Sequence, residues 1–201
     1  MLLVSIGAIA ISLIVSCYVY DFSDLYKLKW LDKLQILRTG KLMNINAGFD
    51  ETSSLLKNKY PSTELMVFDF YDSEKHTEPS IRRARKAYPA FLNTRQCTTT
   101  YLPLEENSVD NIFLIFSAHE IRNDNERIGF FKEMSRVLKP SGEIVVTEHL
   151  RDTPNFIAYT LGFFHFHTNA TWLKTFHSAE LGVVRKIKIT PFISTFVLKK
   201  L

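Results

Sequence analysis

Three stretches of the chain put reactive side chains directly behind an apolar run. Phe116-Ser117-Ala118-His119-Glu120 and Thr147-Glu148-His149 pair imidazoles with carboxylates. Such pairs can hold or move a proton near neutral pH, and His119 could act as general base on a phenol or enol hydroxyl. A metal site built from His119, Glu148 and His149 is the lesser reading, and no metal is assigned. The third stretch, Glu64-Leu65-Met66-Val67-Phe68-Asp69, ends in a carboxylate with two acceptor oxygens. Asp69 lies about twenty residues beyond the loop Asn44-Ile45-Asn46-Ala47-Gly48-Phe49-Asp50, the distance at which nucleotide-binding sheets hold a ribose diol. Phe70 or Tyr71 would then pack on the base. Within the loop Gly48 supplies backbone freedom, Asn46 tolerates positive φ, and Asp50 can cap a helix that begins at Glu51.

To position these groups the chain needs a sheet whose strand ends share one rim. Apolar runs predict strands at Lys41–Ile45, Leu65–Asp69, Gln96–Thr99, Asn111–Phe116, Glu143–Glu148, Val183–Ile189 and Phe192–Leu198. Helical patterns fall at Glu51–Lys59, Ser80–Ala87, Asp124–Leu138 and Trp172–Ala179. The alternation specifies an α/β fold, a Rossmann-like, mostly parallel seven-stranded sheet. Ile189-Thr190-Pro191-Phe192 is too short for a crossover, so the last two strands form a C-terminal antiparallel hairpin. Lys139-Pro140-Ser141-Gly142 reads as a sharp turn between helix and strand. Ligands of such sheets bind outside the carboxyl ends of the strands, which is where His119 and Glu148 fall.

Met1 to Tyr20 carries no charged side chain. Twenty residues at helical rise span roughly 30 Å, the thickness of a bilayer's hydrocarbon core. Nothing basic precedes the run, which argues against a cleaved signal peptide and against a lipoprotein signal at Cys17. Residues 1–20 therefore read as a transmembrane or signal-anchor helix, 21–40 as a juxtamembrane segment with a helix over Phe22–Leu37, and 41–201 as the soluble domain. Lys27, Lys29 and Lys33 place that domain in the cytoplasm by the positive-inside rule. Hydrophobic residues make up 46% of the 201 and charged residues 23%, with a net charge of only +4, so neither disorder nor nucleic-acid binding is indicated. The basic cluster Arg82, Arg83, Arg85, Lys86 reads as a solvated helix face, and His76-Thr77-Glu78 as a polar loop. Cys17 and Cys97 form no disulfide or zinc pattern. The oligomeric state has no signature.

Two motifs carry a resemblance. Leu102-Pro103-Leu104-Glu105-Glu106-Asn107-Ser108-Val109-Asp110 precedes an apolar strand, and Glu133-Met134-Ser135-Arg136-Val137-Leu138-Lys139-Pro140-Ser141-Gly142 follows at the matching distance. Together they resemble the middle of class I S-adenosylmethionine-dependent methyltransferases, over about residues 41 to 200. The resemblance implies S-adenosylmethionine as cofactor, bound by Asn44, Asn46, Ala47, Gly48, Asp69, Phe70, Thr98, Thr99 and Ser117. It implies catalytic roles for His119 and Glu148, and an acceptor-covering segment at Phe163-Phe164-His165-Phe166-His167. The loop keeps one of the family's three glycines, and Asn44 stands where a carboxylate is usual. Hence the alternative is a degenerate, non-catalytic relative. A nucleotide-dependent oxidoreductase is disfavoured by the missing Gly-x-Gly-x-x-Gly turn and by the hairpin. The anchor and the aromatic segment together point to a small-molecule acceptor that is lipophilic or aromatic.

Overall fold

The apolar runs beyond residue 39 assemble into one seven-stranded sheet in the computed structural model, which describes residues 2–34, 36, 39–74 and 79–201. The strands are β1 (Gly40–Asn46), β2 (Thr63–Asp69), β3 (Arg95–Gln96), β4 (Val109–Ile115), β5 (Leu138–His149), β6 (Leu181–Thr190) and β7 (Ile193–Lys200). Their order is β3-β2-β1-β4-β5-β7-β6. Pairing is parallel through β5, while β7 runs antiparallel to both β5 and β6. The helices are α1 (Leu2–Cys17), α2 (Ser53–Lys59), α3 (Pro79–Ala87), α4 (Asp124–Val137), α5 (Thr153–Tyr159) and α6 (Asn169–Ser178).

Period-two alternation divides the core. Met43, Ile45, Ile112, Leu114, Ile144, Val146 and Phe196 face α4 and α6, meeting Phe130, Phe131, Trp172 and Phe176. Leu42, Phe113, Val145 and Val197 face the other way, against Leu56 of α2 and the segment Leu28, Trp30, Leu31, Leu34 and Ile36. The stretch expected as a helix over Phe22–Leu37 is therefore a strap on the sheet. Among the described residues after Phe22 only Lys29–Leu34 is helical, as a 3-10 turn, and Gln35 and Leu37 lie outside the described residues. Leu28 sits at φ 51, and Trp30 Nε1 donates to the Leu25 carbonyl, which fixes a loop where a helix would run on. The His76-Thr77-Glu78 loop also lies outside the described residues.

The expected turn at Lys139–Gly142 is part of β5. The chain leaves α4 at Leu138, which pairs with Val109, and the next partner pair is Glu143 with Asn111. The intervening residues bulge outward around Asp110, which accepts from Lys139 Nζ at 2.8 Å and from Lys41 N at 2.9 Å. A Cβ on Gly142 would lie 2.7 Å from the Asp110 carbonyl oxygen. Gly142→Ala is expected to destabilise the fold by about 1–3 kcal/mol, read as a lower urea midpoint at unchanged slope. The third strand is shorter than expected, so Thr98 and Thr99 lie in the loop after it, where Thr98 bridges to Tyr101.

Candidate active site

The ends of β1, β2, β4 and β5 meet along one rim. At β1, the Asn46 Oδ1 accepts from Gly48 N at 3.2 Å, closing a tight turn, and leaves its buried Nδ2 without a partner. Gly48 has φ 97, and a Cβ there would fall 2.6 Å from the Tyr71 ring. Asp50 caps the following helix by accepting from Thr52 N and Ser53 N, at 3.1 and 2.9 Å. That helix starts at Ser53 instead of Glu51, with the Thr52 and Ser53 amides taken by Asp50. Asn44 is buried beneath it, its amide donating to Thr52 Oγ1 at 3.0 Å and Ser53 Oγ at 2.8 Å. The side chain that replaces the usual carboxylate thus ties β1 to α2.

At the end of β2, Asp69 is 2% exposed, and its Oδ1 accepts from Tyr71 N at 2.8 Å. Its other oxygen accepts from Arg85 at 2.6 Å and Gln96 at 3.3 Å. Arg85 also donates to the Gly48 carbonyl at 3.0 Å and lies 4.4 Å above the Tyr71 ring. One member of the expected solvated face has therefore turned inward, because a carboxylate, a carbonyl and an aromatic face converge on it. Arg82, Arg83 and Lys86 are exposed.

Three cavities lie along this half of the rim. One of about 300 Å³ is lined by Phe70, Tyr71, Thr98, Thr99 and Glu126. A second of about 70 Å³ lies between Asn46, Gly48, Asp69 and Arg85, and a third of about 80 Å³ between Asn46, Ala47, Ile81, Phe116 and Glu120. Phe70 itself packs on Phe130, and Thr99 donates to Glu126 at 2.5 Å. Ser117 is buried, donating to the Ile45 carbonyl at 2.7 Å, and so links the ends of β4 and β1.

On the other half of the rim, Glu148 is 1% exposed and accepts from the His119 backbone at 3.2 Å. Its Oε2 lies 2.7 Å from His119 Nδ1, while Glu120 Oε1 lies 3.1 Å from His119 Nε2. Burial alone would push the His119 imidazole down, but the Glu148 charge and the two carboxylate contacts overcome it and raise its pKa. His149 points elsewhere. Its Nδ1 lies 3.0 Å from Asn155 Oδ1, whose amide donates to Asp152 and the Phe192 carbonyl, so Nδ1 carries the proton. Nε2 is then the acceptor for the Tyr20 hydroxyl at 3.2 Å. Burial, despite the Asn155 bond, pushes His149 down and keeps it neutral. Its ring lies between Phe116, at φ 55, and Phe166. Phe163–His167 is held over this rim by Arg122, which donates to the His165 carbonyl, and by Arg151, which donates to the Phe164 and Phe166 carbonyls.

Sequence patterns placed His119, Glu148, Asn46, Gly48 and Asp69 along one rim, and the fold brings them there. They named Glu120 only as the neighbour of His119 and Arg85 only as part of a solvated face, and gave no sign that Asn155 and Tyr20 would meet His149. The donor set suits an adenosyl sulfonium. A buried amide with a free donor, a buried carboxylate and an aromatic-lined cavity are all present, and Arg85 occupies the carboxylate in the meantime.

A family profile described as a methyltransferase domain matches residues 48–146. The chain is 25% identical over 135 residues to the ubiquinone/menaquinone biosynthesis C-methyltransferase UbiE of Geotalea daltonii, covering 67% of this chain and 55% of that protein. A second UbiE, from Syntrophotalea carbinolica, is 25% identical over 139 residues, or 66% of this chain and 54% of that one. The chain thus spans about half the length of the curated relatives it matches. Among solved structures, a SAM-dependent methyltransferase from Aquifex aeolicus superposes with TM-score 0.62 at 16% identity, covering 90% of this chain and 94% of that one. One from Clostridium acetobutylicum gives 0.62 at 12%, covering 100% and 99%. At these identities the superpositions establish the fold.

Proposed function

The chain belongs to the class I S-adenosylmethionine-dependent methyltransferase superfamily, and from that premise we propose that it methylates a small lipophilic or aromatic acceptor drawn from a membrane. S-adenosylmethionine is the cofactor, and when bound it supplies an electrophilic methyl group on a sulfonium. The single observation that carries the acceptor reading is Tyr20. It ends an apolar helical stretch, Ser5–Phe22, long enough to cross a bilayer, and its hydroxyl reaches His149 on the rim. The apolar helix and the acceptor end of the site are therefore one continuous surface. Lys27, Lys29 and Lys33 favour a cytoplasmic catalytic domain. The curated relatives are named for quinone biosynthesis, in keeping with a lipophilic acceptor.

In-line methyl transfer needs alignment and exclusion of water more than acid–base help. Asn46, Ala47, the Gly48 backbone and Asp69 hold the donor, with Phe70, Thr98 and Thr99 around its base. Asn44 and Ser117 act indirectly, by fixing the loop. Phe116 and Phe166, stacked on either side of His149, supply aromatic surface to the acceptor, and Phe163–His167 covers that end of the rim. Glu148 orients His119 at the transfer end, and the neutral His149, whose one lone pair accepts from Tyr20, ties the apolar helix to that end. Full-length protein in phospholipid vesicles, given S-adenosylmethionine labelled in the methyl group, should label a lipid-soluble hydroquinone over a charged, water-soluble catechol. Tyr20→Ala should cut that labelling about tenfold, the worth of one buried hydrogen bond. Equal labelling of both acceptors would refute the membrane acceptor.

One observation favours a second reading, a non-catalytic scaffold. Arg85 fills the carboxylate that a ribose diol would need. Calorimetry of the full-length chain with S-adenosylhomocysteine separates the two, since a scaffold shows no heat of binding at millimolar ligand.

A further inference from the structure

We propose that His119, Glu120 and His165 form a binding site for one divalent transition-metal ion of the zinc or cobalt type, with Glu148 orienting His119 from behind. One ligand atom from each of the three lies within 4.8 Å of the others. Glu120 Oε1 is 3.1 Å from His119 Nε2 and 3.5 Å from His165 Nε2. Ligands placed tetrahedrally around an ion at about 2.0–2.1 Å stand roughly 3.3–3.5 Å apart, so the two edges from Glu120 are close to the spacing, and the two histidines, within 4.8 Å, need only a small approach. The metal takes the place that a proton holds between His119 and Glu120.

The surroundings supply a second, independent feature. Metal-bound histidines usually donate their other ring N–H to a carboxylate, which fixes the tautomer and the ring plane. Glu148 does this for His119 at 2.7 Å, from a fully buried position, leaving Nε2 toward Glu120 and His165. The ligands come from two tethered segments. His119 and Glu120 share the 3-10 turn Ala118–Glu120, and His165 ends the 3-10 turn Thr160–His165, whose carbonyl Arg122 holds. Two carboxylates against two imidazoles make a pocket that favours a cation. The opposing group is Arg122, whose guanidinium abuts the His165 ring at 2.5 and 2.6 Å. It has to leave the ring when metal binds, while its bond to the His165 carbonyl can remain. Two nitrogens and one carboxylate suit borderline ions and leave coordination open for an oxygen or thiolate ligand. Metal retention is measurable whether or not the chain turns over, so this inference stands apart from the methyl-transfer reading.

The test is a Zn²⁺ titration of untagged full-length protein in detergent, against a chromophoric chelator, followed by Co²⁺ and its visible absorption. One Zn²⁺ per chain is expected, with Co²⁺ bands of four- or five-coordination. His165→Ala and Glu120→Ala should each weaken affinity about 100-fold or more, and Glu148→Gln by about 10–100-fold. His177→Ala, on the exposed end of α6, and Cys17→Ser, removing an exposed thiol, should change nothing. Circular dichroism verifies each fold, and the half-exposed His165 decides the matter if Glu120→Ala does not fold. Less than one Zn²⁺ per chain overturns the site. So does equal affinity in His165→Ala, or an equal loss in His177→Ala or Cys17→Ser.

Discussion

Asp69→Ala is expected to lower S-adenosylhomocysteine affinity about 100-fold or more, measured by calorimetry on the full-length chain. A buried carboxylate that accepts from two vicinal hydroxyls makes two charge-assisted hydrogen bonds, each worth about 1.5–3 kcal/mol, and about 1.4 kcal/mol is tenfold. The lower end of that range already gives the stated factor. Arg85 complicates the measurement in an informative way. It spans Asp69 and the Gly48 carbonyl, so donor binding in the wild type has to displace it. Arg85→Ala removes the competitor and should tighten binding up to about fivefold, the upper worth of a part-exposed ion pair. Asp69→Asn keeps an acceptor for Tyr71 N while abolishing the charge, so it separates local folding from recognition. Unchanged affinity in Asp69→Ala would remove the ribose assignment, and weaker binding in Arg85→Ala would make Arg85 a donor contact.

The sheet was readable from sequence because burial on both faces imposes alternation. Ile112 and Leu114 point one way and Phe113 and Ile115 the other, and a one-residue error would have exposed them all. The two motifs that carry the resemblance have a structural reason to travel together. Glu133 accepts from Leu102 N at 3.1 Å, and Arg136 donates to the Leu102 and Leu104 carbonyls, both at 2.9 Å. They form one hydrogen-bonded clasp between α4 and the loop before β4, away from the rim. The fold signal is therefore strong while it says little about chemistry. The rim itself was only half legible. Asp69 and His119 stand out because they follow apolar runs, but Arg85 and His165, though noted in a basic cluster and an aromatic segment, carry no local mark of the partners they meet. Glu120 stands beside His119 in sequence, but that adjacency gives no sign that it also meets His165. Tyr20 stood only as the end of the uncharged run, and only the path of residues 18–34 across the sheet brings it to His149.

Arg127 is the extreme case of an illegible residue, and the second large effect falls there. In α4 it follows Asp124 by three residues, the spacing of an ordinary solvent-exposed pair. The side chain is instead fully buried. It donates to the Ile121 carbonyl at 2.9 Å, Thr175 Oγ1 at 3.1 Å, His167 Nε2 at 3.2 Å and Asp124 at 2.6 Å, and lies 5.7 Å over Trp172. Burial and the Arg127 and Arg122 charges hold His167 down at about 4, so it stays neutral and can accept. Arg127→Ala leaves a cavity and an orphaned carbonyl, while the exposed Asp124 returns to water at little cost. The expected loss is about 3–4 kcal/mol, mostly cavity plus one unsatisfied acceptor. Because His167 anchors the end of the acceptor-covering segment, acceptor KM should rise in the same variant while donor affinity stays near wild type. Arg127→Lys restores one charge but not the fork, so it should recover part of the stability and little of the KM. A loss under about 1 kcal/mol in Arg127→Ala would mean that solvent already reaches the guanidinium, and the link from α4 through His167 to the lid would then fail.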